Sequence, residues 1–151
     1  MKLAEALIER AEIQKKNGQL ISRIKDNTKV QEGELPSEKP EELIAEYEEN
    51  MARFLELVQR INETNCKTPF AEKGSIADAI AQRDYLGSKI KAYREFYESA
   101  TIKMDRYSHN EIKFIRCIDA KELQNQIDTL SKGYREIDTK LQSINWTVDL
   151  L

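Results

Sequence analysis

Apolar residues recur at alternating spacings of four and three residues between Leu123 and Ile144, near the end of the sequence. The residues between them are mainly charged or amide side chains. This pattern predicts a long amphipathic helix whose narrow apolar stripe packs along another helix, as in a coiled coil. The stripe consists of Leu123, Ile127, Leu130, Tyr134, Ile137, Leu141 and Ile144.

A first helix is predicted from Lys2 to about Lys25, because apolar residues recur on one side of that segment. Gln14, Asn17 and Gly18 interrupt the apolar stripe near its middle. A glycine inside a helix costs about 1 kcal/mol relative to alanine. We interpret the interruption as a bend, a close helix contact or a polar spot that faces a partner.

A second helix is predicted from Pro40 to about Asn65, since proline suits the first turn of a helix. A third helix follows Ser75, which forms a capping signal with Asp78 three residues later. The last helix begins after a similar signal at Asp119. The predicted buried face of the second helix contains Leu43, Ile44, Tyr47, Met51, Phe54, Leu55, Val58 and Ile61.

Residues 101–119 break the helical period between the third and fourth helices. Ile102 and Met104 alternate with polar residues, residues 108–110 supply turn formers, and residues 112–118 are rich in β-branched and aromatic side chains. This arrangement predicts a small β-hairpin. The predicted fold is therefore mainly α, an antiparallel bundle of four long helices with a small β-hairpin before the last helix. We expect residues 1–151 to form a single helical domain.

Composition narrows the classes of function. The 151 residues carry a net charge of −3, with 34% charged residues mixed along the chain, and no basic block indicates nucleic-acid binding. No apolar run approaches the ~20 residues that cross a bilayer, so we expect no membrane segment. Glu5 and Glu9 interrupt the stretch where a signal peptide is apolar, which favours a cytoplasmic protein. Cys66 and Cys117 fit free thiols in that compartment.

Motifs for chemistry are scarce. His109 is the one histidine, and metal-ligand spacings, phosphate-binding glycine patterns and nucleophile motifs are absent from the sequence. We therefore predict no catalytic residue, no metal and no cofactor. Arg83 and Asp84 interrupt the apolar stripe of the third helix, either as a buried charge pair that fixes helix register or as part of a ligand site. The candidate ligand-binding residues, joined by acids of residues 31–34, are Arg83, Asp84, Arg106, Tyr107, His109 and Glu111.

Trp146 lies in an apolar tail at the end of the sequence. A tryptophan near a terminus often anchors an interface. Packing against the rest of its own chain is the alternative that we leave open here.

Several segments together resemble the septicolysin-like family of small bacterial helical proteins. They are MKLAEALIERA, VQEGELP, SEKPEEL, INETN, ADAIAQRDYL, RYSHNEIKFI and NWTVDLL. The resemblance implies a helical protein that assembles into higher oligomers, and septicolysin itself is described as a pore-forming cytolysin. The mean hydropathy of −0.68 and the charges in residues 101–118 disfavour membrane insertion.

The leading hypothesis is a bacterial, cytoplasmic, non-enzymatic protein that forms a homo-oligomer and acts as an interaction or scaffold unit. The hypothesis also allows a separate protein partner. The long apolar stripe of the last helix and the absence of catalytic spacing support it. The first alternative is a small-ligand binder or enzyme with a site at a subunit junction, built from the six candidate residues. The second alternative is a pore-forming cytolysin.

Overall fold

The computed structural model describes residues 1–71, 74–101 and 114–151. These residues form four α-helices, α1 (Leu3–Asn27), α2 (Pro40–Lys67), α3 (Ile76–Ser99) and α4 (Ala120–Thr147). Within the described ranges, β-pairing is limited to two isolated bridges, Lys2 with Asp149 and Pro69 with Ser75. The predicted mainly α class with four long helices is confirmed.

The predicted β-hairpin is not supported. Its first strand and its turn fall in residues 102–113, which lie outside the described residues. Residues 114–116 have no regular structure and Cys117 and Ile118 form a bend, so the described part of the second predicted strand is not a strand. The Nε of Arg116 donates a side-chain hydrogen bond of 2.9 Å to the carbonyl of Ala100. β-branched and aromatic residues favour strands only where a neighbouring strand and a packing surface are present, which a local pattern does not reveal.

Local signals set the helix ends. The Oδ1 of Asp119 accepts hydrogen bonds from the backbone N–H groups of Lys121 and Glu122 at 2.9 and 3.1 Å, so Asp119 caps α4 as predicted. Pro40 occupies the first position of α2, where its missing N–H costs nothing.

The chain comprises two compact units. The first contains Met1–Ile76 and Ser143–Leu151, and the second contains Ala77–Gln142. The organisation of residues 1–151 as a single domain stays a prediction.

In the first unit, α1 and α2 pack as an antiparallel pair. Contacts join Glu9 to Arg53, Asn17 to Asn50 and Arg23 to Glu38, so the two sequences run in opposite directions. The buried row between the helices includes Leu3, Ala6, Asn17, Leu20, Asn27, Leu43, Leu57, Ile61 and Thr64.

The predicted buried face of α2 is too wide. Ile44, Met51 and Leu55 are exposed, whereas Leu43, Leu57 and Ile61 are buried. A pair of helices covers one narrow row on each helix, so apolar residues on either side of that row stay in contact with solvent.

The two ends of the chain pair with each other in the same unit. The N–H of Leu3 donates to the carbonyl of Val148, and the N–H of Leu150 donates to the carbonyl of Met1, both at 2.9 Å. The fully buried Thr64 of α2 accepts a hydrogen bond of 3.0 Å from the N–H of Leu151 through its hydroxyl.

In the second unit, α3 and α4 also run antiparallel, because Arg83 contacts Asp138 and Gly87 approaches Tyr134. A Cβ added at Gly87 would lie 3.3 Å from the Cε2 of Tyr134, so this glycine leaves room for the ring. None of the seven residues of the predicted α4 stripe is exposed, and Ile127 and Leu141 are fully buried. The inward orientation of that stripe is therefore confirmed, while coiled-coil packing stays a prediction.

Candidate interaction surfaces

Arg83 of α3 is bound by two carboxylates. Its Nη2 and Nε donate to Asp84 at 2.8 and 3.0 Å, and its Nη1 lies 3.5 Å from an Oδ1 of Asp138 on α4. The hydrogen bond to Asp84 raises the pKa of the Arg83 guanidinium above its ordinary value. An anionic ligand would have to displace these carboxylates, so the geometry favours a structural link between α3 and α4.

The predicted charge pair of Arg83 and Asp84 is present, but it is not buried. The Arg83 side chain is half-buried, but the Asp84 side chain is exposed. Adjacent residues of a helix point in directions about 100° apart, so both cannot face the same narrow row.

The other four candidate residues, Arg106, Tyr107, His109 and Glu111, lie outside the described residues. The acids of residues 31–34 belong to the first unit and are exposed, whereas Arg83 and Asp84 belong to the second. The gathering of these groups into one site stays a prediction.

Among the described residues, no group of three or more His, Cys, Asp or Glu side chains is placed to hold a metal ion. Cys66 and Cys117 are free and exposed. None of the described helices is both long enough and apolar enough to cross a membrane.

One edge of the α1/α2 pair is closed by charges. Arg53 donates to Glu9 at 2.6 and 3.0 Å, Lys16 pairs with Glu46 at 2.7 Å, and Arg23 pairs with Glu38. The α1 members of these pairs are seven residues apart, which places them on one side of the helix. We call this side the ion-pair edge.

The ion pairs also affect proton binding. The hydrogen bond from Arg53 lowers the pKa of the Glu9 carboxyl below its ordinary value of 4.5. Arg23 lowers the pKa of Glu38 in the same way. Both carboxylates are therefore stabilised in their charged form.

The opposite edge of the same helix pair is apolar. Ile21 of α1 and Ile44, Met51 and Leu55 of α2 are between 37% and 57% exposed. At about 100° per residue, these side chains project on the other side of the buried row from the ion pairs. We call these four residues the apolar edge. Asn17 borders it, since its Nδ2 lies 3.4 Å from the Sδ of Met51.

The second unit has an exposed apolar cleft of about 690 Å³. Phe96 of α3 and the segment before α4 line it, and Phe114 and Ile115 are more than 80% exposed. We call this cavity the apolar cleft. The sequence did not predict this cleft, because the lining residues 114–118 were interpreted as part of a strand.

Trp146 is exposed, whereas the nearby Leu150 is buried. Packing of the tail within the chain thus depends on Leu150 and not on the indole. A role of Trp146 in an interface stays a prediction.

The fold and its surfaces define a helical protein with apolar surface in both units. A profile described as "Family of unknown function (DUF6847)" matches residues 10–150, and the chain belongs to that family. No curated protein matches. Among solved structures, the chain is similar to a "functionally unknown conserved protein from Corynebacterium diphtheriae", with 41% sequence identity and a TM-score of 0.94. That match covers 100% of this chain and 99% of the other.

The resemblance to the septicolysin-like family is therefore wrong, because the family match and the similar structure carry no link to septicolysin. The segments that suggested it are short, and most lie in helices where amphipathic spacing restricts which residues occur. The expectation of a pore-forming activity loses its basis with this correction.

Proposed function

We propose that this protein is a non-enzymatic, cytoplasmic interaction unit that acts as a homo-oligomer. The exposed apolar side chains of both units carry the proposal.

Exposed apolar side chains are typical of the surface that an obligate interface covers. Permanent homodimer interfaces bury about 2,000–5,000 Å² in total and are more apolar than transient ones. Both units expose apolar side chains that the chain itself leaves uncovered, Ile44, Met51 and Leu55 in the first and Phe114 and Ile115 in the second. Large exposed apolar patches on a folded protein mark interaction sites.

The alternative of a small-ligand or enzymatic site at a subunit junction has weaker support. Its best-placed residue, Arg83, already binds Asp84 and Asp138. It would gain support from a ligand retained during purification.

Native mass spectrometry, together with light scattering during gel filtration, tests the proposal. We expect a mass that is a multiple of 17.6 kDa at micromolar concentration, with no additional mass that denaturation removes. A monomer at that concentration would overturn the proposal. Extra mass lost on denaturation would favour the ligand-site alternative.

A further inference from the structure

The two edges of the α1/α2 pair differ in whether their side chains find partners within the pair. On the ion-pair edge, charged side chains cross from one helix to the other and neutralise each other. On the apolar edge, Ile21, Ile44, Met51 and Leu55 stay exposed. A helix pair that needed only solubility would carry polar residues on both edges. The apolar edge is therefore the side of this unit that gains free energy from being covered.

Gly18 adds an independent observation on the same side of α1, one turn before Ile21. A Cβ added at this glycine would meet nothing within 4 Å, so packing within the chain does not require it. Its backbone has regular helical structure without positive φ, so the turn does not require it either. A glycine that costs about 1 kcal/mol here leaves room for the close approach of another helix from outside the chain.

The area of the edge suits a second helix pair. The 25 residues of α1 extend about 38 Å, and two packed helices together are about 18–20 Å wide. The whole side of the pair, of which the apolar edge is the part alongside Ile44–Leu55, thus presents a footprint on the order of 700 Å², close to the ~800 Å² that each partner contributes to a standard interface.

The charges of the edge favour a second copy over a nucleic acid or an anionic membrane. Helical spacing places Lys25 of α1 and Glu41 and Glu48 of α2 beside the apolar residues. Within the described residues none of the three makes an ion pair. A surface that pairs with itself must carry both signs of charge, whereas a surface for phosphates is predominantly basic.

We propose that the apolar edge of α1 and α2 is the surface through which two copies of this chain associate, so that two helix pairs form one intermolecular four-helix bundle. This inference rests on the proposed homo-oligomer and names its interface. In four-helix bundles, two amphipathic helix pairs commonly bury their apolar sides against each other.

The test compares two isoleucines of α1 that undergo the same substitution. Ile21→Glu places a charge on the apolar edge, whereas Ile8→Glu places it on the far side of α1, where Ile8 is 48% exposed. We expect Ile21→Glu to raise the dissociation constant about 100-fold or more, because a charge would be buried without a partner. Ile8→Glu should leave the mass and the dissociation constant unchanged.

Leu55→Glu provides a second variant on α2, where the native side chain is 57% exposed and the fold tolerates a polar group. It should dissociate the assembly as Ile21→Glu does, with helical content by circular dichroism retained. A wild-type monomer would overturn the proposed function and this interface together. A wild-type oligomer that persists in both edge variants, or that Ile8→Glu disrupts equally, would overturn the interface alone.

Discussion

At the scale of single residues, a pair of amides crosses the buried row of the first unit. The Nδ2 of Asn50 donates to the Oδ1 of Asn17 at 3.0 Å, and Asn17 is 6% exposed. We expect Asn50→Ala to lower the free energy of unfolding by about 1–3 kcal/mol, because it leaves the buried Asn17 carbonyl without its donor. Urea denaturation of the purified variant measures this change.

The matched control replaces both amides. Asn17→Leu combined with Asn50→Leu removes donor and acceptor together and restores apolar contact, so the double variant should be at least as stable as the wild type. A double variant that is as destabilised as Asn50→Ala would contradict the assignment of the cost to an unpaired polar group.

The expected effect of Gly18→Ala on the free energy of unfolding depends on whether the apolar edge is covered. In the dissociated Ile21→Glu protein, Gly18→Ala should raise the free energy of unfolding by about 0.5–1 kcal/mol, since space around the added methyl is open. In the assembled wild type the gain should be smaller or reversed, because the partner helix approaches that position. Thermal unfolding of both backgrounds measures the difference. An equal gain in both would contradict close packing over Gly18.

At the scale of helices, the ion-pair edge makes the stability of the first unit depend on pH. The bond from Arg53 holds the pKa of Glu9 below 4.5, so the unfolded chain binds this proton more readily than the folded one. The contribution of Glu9 is therefore fully present above about pH 4.5 and is lost as the pH falls through the lowered pKa. We expect Glu9→Gln to reduce the acid-induced loss of stability, as measured by urea midpoints between pH 3 and pH 7.

Glu12→Gln on the same helix is the control for this experiment, because Glu12 is exposed and α1 is otherwise unchanged. Its acid dependence should equal that of the wild type. A Glu9→Gln protein with the same pH profile as Glu12→Gln would show that the Arg53–Glu9 bond does not contribute to stability in solution.

The helices could be predicted from the sequence, because the signals that define a helix are local. The α4 stripe and the Asp119 cap depend on residues within a few positions of one another, and both predictions are confirmed. The strand predicted at residues 112–118 required a partner that no local pattern reveals, and its described part is irregular. The wide apolar face of α2 was assigned wholly to the interior.

The same width was the one signal in the sequence for the apolar edge. Ile44, Met51 and Leu55 lie to one side of the row formed by Leu43, Leu57 and Ile61. A single neighbouring helix covers only that row, so the extra apolar residues indicated a second contact. The candidate ligand site had no such support, because Arg83 and Asp84 follow no pattern that separates a binding pair from a structural one.

At the scale of the whole molecule, the proposed association would couple the folding of the chain to its oligomerisation. Each unit contains one helix pair, and few side chains of the described residues are fully buried. Small cores of this kind give limited stability alone, and a partner that binds only the folded chain adds to it by mass action. The measured stability of this protein should therefore depend on its concentration.

For a dimer, each tenfold rise in protein concentration adds about 1.4 kcal/mol to the free energy of unfolding of the assembly. This gain corresponds to an increase of roughly 2–4 °C in Tm at this chain length. We expect the wild type and Ile8→Glu to follow this dependence in differential scanning calorimetry. Ile21→Glu should melt at a lower temperature that does not change with concentration, because its folded state is no longer stabilised by a partner. A wild-type Tm that stays constant across two decades of concentration would contradict the stabilisation of this chain by association with a second copy through the apolar edge of α1 and α2.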